Sequence, residues 1–454
     1  MKRYRFSVTR PIPVIFLLIV LAVVGSACTQ TGTPESNPAD TAMFRANAQR
    51  TGVYETPGLA NYDSVKWEFQ AGDWIFGAPA IVGDTVIAAS YDSYVYAVDR
   101  ETGTEKWRFQ TGNSILASPA VSGDLVFITS IDSNIYALDV TTGDLRWQVA
   151  GAGIYSGSPA VVGDTLYANS DAGLLLALDT ATGDERWRYE TPGESMPFSM
   201  AIDNDTVYTV TSLGILHALD ASTGELKWQY NSAEGLSDVY NPTASPVVNE
   251  GTIYLTFSDV ESMTVIQAVD LETRTVQWQY EAPIETFSAP SVAGPRLVFG
   301  SLDGYIYALD AETGNSLWSI PTSGIIYSAV AITDNTAYVG SADSYLYALD
   351  ASTGQILWQF KARGGVSSPI VADRVVLSAM MPVRFTHYAK QEATMNNGLE
   401  GDPEILAETD LFAVWRSVED GDGFMYHVEL GGLTLHLTSE EWEELVSLIR
   451  GASM

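Results

Sequence analysis

Residues 134–147 read Asn-Ile-Tyr-Ala-Leu-Asp-Val-Thr-Thr-Gly-Asp-Leu-Arg-Trp, and close copies of this phrase recur along the chain. Asp and Thr side chains can bond backbone N–H groups in a tight turn, and Gly allows the positive φ that such turns often need. Apolar runs flank the turn on both sides. The phrase therefore predicts a β-hairpin that joins two strands.

The Trp that ends the phrase sets the period of the repeat. It recurs in steps of 40, 40, 40, 41, 50, 40 and 40 residues, at Trp67, Trp107, Trp147, Trp187, Trp228, Trp278, Trp318 and Trp358. A full copy of the phrase precedes each Trp except the first. In one copy Arg274 replaces the Gly, and we expect a different turn there because a left-handed conformation costs such a residue roughly 1 kcal/mol.

Two further strands precede each hairpin. One begins near a Ser-Pro-Ala sequence, as at Ser118, and the next follows a Gly-Asp turn, as at Gly123. Four short strands in about 40 residues is the spacing of a β-propeller blade. Seven blades end at Trp107 to Trp358, and we expect an eighth to be assembled from both chain ends: Ser64–Phe69, Ser368–Ala372, Val375–Ala379 and His387–Ala389. The predicted fold is all-β, an eight-bladed propeller of four-stranded blades over residues 43–391.

The phrase Ala-Leu/Val-Asp-x-x-Thr-Gly-x-x-x-Trp resembles the repeat of the pyrroloquinoline quinone (PQQ) β-propellers. That superfamily contains quinoprotein dehydrogenases and non-enzymatic lipoproteins of the BamB type. The resemblance covers about residues 43–391 and implies that each of the eight Trp packs between neighbouring blades against the Ala of the repeat. A WD-repeat propeller has a similar period, but its Gly-His and Trp-Asp signatures do not recur here.

The N-terminus resembles the signal sequence of a lipoprotein. Four cations precede an apolar stretch at residues 11–24, which is shorter than a comfortable bilayer span. Gly25-Ser26-Ala27-Cys28 follows, and Cys28 is the only Cys in the chain. We expect residues 1–27 to be removed and Cys28 to be lipidated; an ordinary signal peptide with an incidental Cys is the alternative. Residues 28–42 are predicted to be a flexible tether.

The composition changes after the propeller. Residues 392–409 are predicted to be an acidic linker, and residues 410–454 a small β-β-β-α module with a helix at Ser439–Arg450. Asp420 and Asp422 could suggest calcium, but no further loop ligands follow at the needed spacing. A plain hairpin turn explains them better.

The charge balance excludes one class of partner. The chain has 56 acidic and 23 basic residues and a net charge of −33, which opposes binding to nucleic acid. The acidity could also serve only to keep a Trp-rich protein soluble.

Catalytic motifs are not evident in the sequence. The resemblance to quinoprotein dehydrogenases would imply a vicinal Cys pair, a calcium site and an Asp base, but one Cys cannot form that disulfide. We therefore expect no cofactor and no metal; PQQ with calcium belongs only to the alternative of a quinoprotein dehydrogenase. A small-ligand or glycan-binding propeller is a further alternative, and it predicts a polar pocket at the axis.

The predicted binding surface is the face that carries the connections from each Trp strand to the next innermost strand. Trp74, Phe76 and Tyr327 lie in these connections, although such residues could instead lock the connections between blades. The 50-residue step adds six residues to one connection and four to a neighbouring hairpin, both on this face. Loops that deviate on a regular scaffold often carry function, so the candidate contacts also include Leu236, Val239 and Tyr240; neutral drift is the alternative.

The sequence thus predicts a monomeric, non-catalytic propeller that is anchored outside the cytoplasm by its lipid and binds envelope proteins. A role in outer-membrane protein assembly is the specific hypothesis that the resemblance suggests.

Overall fold

A computed structural model describes residues 16–22, 43–59, 61, 64–232, 241–258, 263–282, 286–372, 375–381, 404–409, 412–419, 423–430 and 433–438. Every regular element within these ranges is a β-strand. The described part of the chain therefore contains no helix that is long and apolar enough to cross a membrane. Residues 1–385 and 386–454 form two compact units.

The first unit is a propeller with seven blades formed by consecutive strands, and each blade is an antiparallel sheet. The strands are given from innermost to outermost. Blade 1 has Ala80–Val82, Thr85–Ala89, Tyr94–Asp99 and Glu105–Gln110, and blade 2 has Ala120–Ser122, Leu125–Thr129, Asn134–Asp139 and Leu145–Ala150. Blade 3 has Ala160–Val162, Thr165–Asn169, Leu174–Asp179 and Glu185–Glu190, and blade 4 has Ala201–Asp203, Thr206–Val210, Ile215–Asp220 and Leu226–Asn231. Blade 5 has Val247–Asn249, Thr252–Ser258, Thr264–Asp270 and Val276–Ala282. Blade 6 has Ser291–Ala293, Arg296–Gly300, Tyr305–Asp310 and Ser316–Pro321. Blade 7 has Ala331–Thr333, Thr336–Gly340, Tyr345–Asp350 and Ile356–Lys361.

Blade 5 contains the insertions that lengthen the repeat. Its second and third strands have seven residues each, and a fifth strand, Asn241–Pro242, pairs with the end of the second. The described parts of both insertions therefore extend the sheet toward the predicted binding face. Leu236, Val239 and Tyr240 lie outside the described residues.

The sheet that closes the ring differs from the blades. It has five strands, Gly365–Val366, Ile370–Ala372, Val375–Met381, Phe16–Ala22 and Ser64–Ala71. Phe16–Ala22 pairs antiparallel with Val375–Met381 on one side and with Ser64–Ala71 on the other. The prediction of an eight-bladed propeller built of four-stranded blades is therefore wrong, since seven blades follow the repeat and the closing sheet is assembled from three separate stretches.

Two sequence predictions concern this closing sheet. Phe16–Ala22 belongs to the stretch predicted to be a signal peptide, and its pairing leaves that prediction untested. The third strand predicted at His387–Ala389 lies outside the described residues.

The second unit forms a four-stranded antiparallel sheet of Glu404–Thr409, Phe412–Glu419, Gly423–Leu430 and Leu433–Thr438. The prediction of a β-β-β-α module is wrong for the part that the structure describes, which has four strands and no helix. The first strand falls in a stretch whose acidic composition indicated a linker. The helix predicted at residues 439–450 lies outside the described residues.

A Trp–Gly contact joins most blades to the next; Trp228 instead lies under Arg274, and the Trp358 indole donates to the Leu59 carbonyl at 2.9 Å. Trp107 lies opposite Ala97 in its own blade, and its indole N–H donates to the Val140 carbonyl of blade 2 at 2.8 Å. A Cβ on Gly143 would lie 2.6 Å from the Trp107 ring, so this position requires Gly as well as a positive φ. The same pairing joins Trp67 to Gly103, Trp147 to Gly183, Trp187 to Gly224, Trp278 to Gly314 and Trp318 to Gly354.

Arg274 keeps the turn geometry that its repeat position requires. Its φ is 60°, and its N–H donates to the Asp270 carbonyl at 2.8 Å as Gly does in the other blades. The expectation of a different turn is therefore wrong. The guanidinium lies 5.3 Å from the centre of the Trp228 ring, and this cation–π contact offsets the cost of the left-handed conformation.

The N-terminal segment, residues 43–59, runs along the inner ends of the blades. The Ala48, Gln49, Thr51 and Gly52 carbonyls accept hydrogen bonds of 2.8–2.9 Å from the innermost strands of blades 4, 5, 6 and 7. The donors are the N–H groups of Ile202, Val248, Val292 and Ile332. The segment thus satisfies backbone groups at the axis that the blades cannot pair among themselves.

Two arginines fix this axial segment. Arg50 is fully buried and donates to the carbonyls of Phe44, Met200, Ser158 and Pro159, which ties the segment to blades 3 and 4. Arg45 is 2% exposed and donates to the Pro290 carbonyl and the Ser291 hydroxyl of blade 6. Burial lowers the pKa of both guanidinium groups to about 9.

The Asp of each repeat stabilises its hairpin turn. Asp139 accepts hydrogen bonds from the backbone N–H groups of Thr141 and Thr142 and from the Arg146 guanidinium. The Arg146 contact first, and then these N–H groups, lower the pKa of Asp139 to about 2. The pKa is also lowered at Asp99, Asp179, Asp220, Asp270, Asp310 and Asp350.

This pattern predicts acid sensitivity. An Asp pKa is about 3.9 in the unfolded chain, so the repeat aspartates stabilise the fold above that pH and lose the effect as the pH falls toward about 2. The free energy of unfolding, measured by urea titration with Trp fluorescence, should fall steadily from pH 5 to pH 2.5.

Asp139→Asn should lower stability at pH 6 and make this fall shallower. Asp144→Asn is the control, because the Asp144 carboxylate accepts a hydrogen bond from the Thr142 hydroxyl, which an amide oxygen can also accept. Equal slopes for the native chain and Asp139→Asn would contradict the assignment.

Candidate functional site

The connections between successive blades surround a pocket on the axis, on what we term the loop face. The pocket has a volume of about 210 Å³. Side chains from the connections form its rim, and Phe44 of the axial segment also lines it; the large rim residues are Phe76, Leu116, Phe198, Phe287 and Tyr327.

Serine hydroxyls tie the connections together below this rim. The Ser118 hydroxyl accepts the Ala78 N–H, and the Ser158 hydroxyl accepts the Ser118 N–H, at 2.8 and 2.9 Å. Ser199 and Ser368 accept the same hydrogen bond from the preceding blade. The Ser at this position of the repeat is thus a link between blades, and the pocket wall is held by hydrogen bonds.

Neighbouring apolar residues in each connection have different roles. Ile75, Ile115, Tyr155, Met196 and Ile326 are at most 2% exposed and pack between blades. The residue that follows each of them lines the pocket: Phe76, Leu116, Ser156, Pro197 and Tyr327. The two interpretations of these connections, locking the blades and forming a binding surface, therefore apply to alternate positions.

The structure brings three of the sequence-predicted contacts together or close to each other. Phe76 and Tyr327 line the pocket, and Trp74 is half-buried with its ring centre 5.1 Å from that of Phe76. Sequence reasoning missed Phe287, which is 43% exposed and stacks on Tyr327 with ring centres 6.3 Å apart. Its place in the repeat, equivalent to Phe76 and Tyr327, was the available signal.

Phe44 was also missed, because nothing in the sequence places the axial segment inside the ring. The Arg50 guanidinium lies 5.6 Å from the centre of the Phe44 ring and holds it at the pocket. The pocket therefore depends on the axial segment as well as on the blades.

The pocket does not fit a calcium-bound quinone. None of its lining residues carries a carboxylate, and among the described residues no group of three His, Cys, Asp or Glu could hold a metal ion. The only Cys of the chain is Cys28, so a vicinal Cys pair cannot flank a quinone ring.

Comparison with solved structures gives the same fold class. BamB from Moraxella catarrhalis is 21% identical over 67% of this chain and 96% of its own, with a TM-score of 0.55. A europium-containing methanol dehydrogenase is 18% identical over 72% of this chain and 86% of its own, with a TM-score of 0.61. The quinohemoprotein alcohol dehydrogenase from Comamonas testosteroni is 14% identical over 74% of this chain and 80% of its own, with a TM-score of 0.62.

These structural likenesses show the fold alone, because the same propeller carries an assembly factor and two enzymes. A search of curated protein sequences finds no match. The family model described as outer membrane protein assembly factor BamB matches residues 50–148, 92–320 and 262–401, which together span most of the chain. The chain therefore belongs to the BamB family of PQQ-like β-propellers.

Proposed function

We propose that this chain is a non-catalytic scaffold of the cell envelope that binds a partner protein through its loop face during outer-membrane protein assembly. The observation that carries the proposal is the cluster of partly exposed aromatic residues around the axis. Phe76 is 36% exposed and Phe287 43% exposed, although neither is needed to close the hydrophobic core.

The chemistry of the rim favours a protein partner. Aromatic side chains are enriched at the centres of protein interfaces and supply much of their binding energy. The pocket volume of about 210 Å³ is below the range of about 300–1,000 Å³ that is typical of small-molecule sites. One side chain of a partner could occupy it while the surrounding rim contacts the partner surface.

The residues of the pocket support a binding role over a catalytic one. Its lining consists of apolar, Ser, Thr, Gly and Tyr side chains, which include no acid, amine or imidazole to transfer a proton near neutral pH. This composition motivates the proposal that the loop face performs no reaction.

Membrane attachment through Cys28 is part of the proposal; cleavage before Cys28 removes the strand Phe16–Ala22 from between Ser64–Ala71 and Val375–Met381. The basic and apolar residues before it, and its place as the only Cys, support lipidation. Cells that express the native chain should incorporate labelled palmitate into it, and Cys28→Ala should abolish the label and release the chain from the membrane fraction. Equal labelling of both chains would rule out this anchor.

The loop face can be tested by crosslinking in the native envelope. A photoreactive amino acid at position 287 should give a discrete adduct with an envelope protein. Phe76→Ser and Tyr327→Ser in the same chain should each reduce the yield about tenfold, as expected for loss of an aromatic contact at the centre of an interface.

A matched control uses an exposed apolar residue on an outermost strand. Leu357 is 40% exposed but does not lie on the loop face. A photoreactive residue at position 357 and the change Leu357→Ser therefore test whether an exposed apolar residue elsewhere gives the same result. The proposal predicts no such adduct from position 357 and no loss with Leu357→Ser. The same adduct from both positions, or none from position 287, would refute it.

A further inference from the structure

A second pocket lies at the opposite end of the axis, on what we term the turn face. It has a volume of about 910 Å³, within the range of about 300–1,000 Å³ that is typical of small-molecule sites. The axial segment forms one wall, and the ends of the innermost strands of blades 4 to 7 form the other. Neither the family match nor the proposed loop-face function assigns a role to it.

The axial segment presents a polar edge to this pocket. Asn47, Gln49, Thr51 and Val53 line it, while Arg45 and Arg50 are buried against the blades. The four backbone hydrogen bonds that fix the segment also fix these side chains, so the wall is formed before a ligand arrives.

The lining offers both hydrogen-bond donors and acceptors. The Asn47 amide bonds to Thr51 through both its nitrogen and its oxygen, and the Gln49 amide donates to the Asp203 carboxylate at 3.3 Å. The Asn249 amide can both donate and accept, and the Glu250 carboxylate accepts. Apolar side chains, Val53, Val248 and Val292, lie between these groups. Sugars match this mixture, because each hydroxyl donates and accepts while the ring C–H groups form an apolar face.

The charges of the residues that line the pocket indicate which class of ligand it can bind. Four carboxylates line the pocket, those of Glu55, Asp203, Glu250 and Asp334, against one cation, Arg296, which donates to Asn335 at 2.8 Å. This balance disfavours phosphorylated and other anionic ligands. The carboxylates lie on separate segments, and no described group of three could hold a metal ion, so they are placed as individual hydrogen-bond acceptors.

We propose that the turn-face pocket binds a short neutral or amino-substituted oligosaccharide. Its walls supply paired polar contacts to the hydroxyl groups and apolar contacts to the ring faces. The axial segment separates this pocket from the loop-face pocket, so saccharide binding and partner binding are independent of each other.

Isothermal titration of the full chain tests the proposal with three probes, N,N′,N″-triacetylchitotriose, its deacetylated trimer and maltotriose. At least one should bind saturably with a dissociation constant between about 10 µM and 1 mM. Gln49→Leu with Asn249→Leu keeps the side-chain size but removes two amides, and it should weaken that binding at least about tenfold.

Two controls keep the result decisive. Phe76→Ser, at the other end of the axis, should leave saccharide binding unchanged. Asn249→Leu alone removes one amide without adding a charge and replaces the double variant if the latter fails to fold, with a smaller but measurable loss expected. Failure of the crosslinking experiment alone would not affect this test, since it concerns the opposite face.

Three results would overturn the proposal. The first is no binding of any of the three saccharides at about 10 mM, well above the expected affinity. The second is saturable binding of spermidine without any saccharide, which would make the pocket a cation site. The third is saccharide binding that neither Asn249→Leu nor the double variant alters.

Discussion

The contact of the repeat Trp with the turn of the following blade, a Gly for six of the eight Trp, is the constraint on which the rest of the structure depends. The indole needs a position without a Cβ, as at Gly143, and its N–H needs a carbonyl of the next blade, as at Val140. Both lie in the same hairpin turn, so the turn sequence also determines how the blades join. Arg274 supports this view, because it keeps the turn conformation and replaces the Gly contact with a cation over Trp228.

At the inner ends of the blades, backbone hydrogen bonds to the axial segment hold the strands in place. The innermost strands are short, and residues 43–59 provide carbonyl partners for four of them, with Arg45 and Arg50 as buried anchors. The same segment contributes Phe44 to the loop-face pocket and Asn47, Gln49 and Thr51 to the turn-face pocket. The two candidate sites therefore have different chemistry because opposite edges of one segment, together with different blade ends, form their walls.

The sequence was informative wherever a residue had a local role that repeats. The Trp spacing, the Asp-x-x-Thr-Gly turn and the Ser-Pro-Ala strand starts predicted the blades, and Phe76 and Tyr327 were predicted as rim residues. Three strands of the closing sheet were predicted from the two ends of the repeat. Its strand Phe16–Ala22 and the axial segment were not, because their partners are far apart in the chain: Phe16–Ala22 pairs with Val375–Met381, and Arg45 bonds to Ser291. Glu404–Thr409 was missed because acidic residues hid a strand pattern.

The central claim is that the axial segment fixes the innermost strands of blades 4 to 7 and separates two binding pockets. Hydrogen–deuterium exchange of the full chain, with fragments that resolve residues 202, 248, 292 and 332, tests it most directly. If the segment is bound as described, these four amides exchange as slowly as those at the centres of the second strands, such as Phe127, because both are buried and hydrogen-bonded. Exchange at the rate of exposed loops at these four positions would contradict the account.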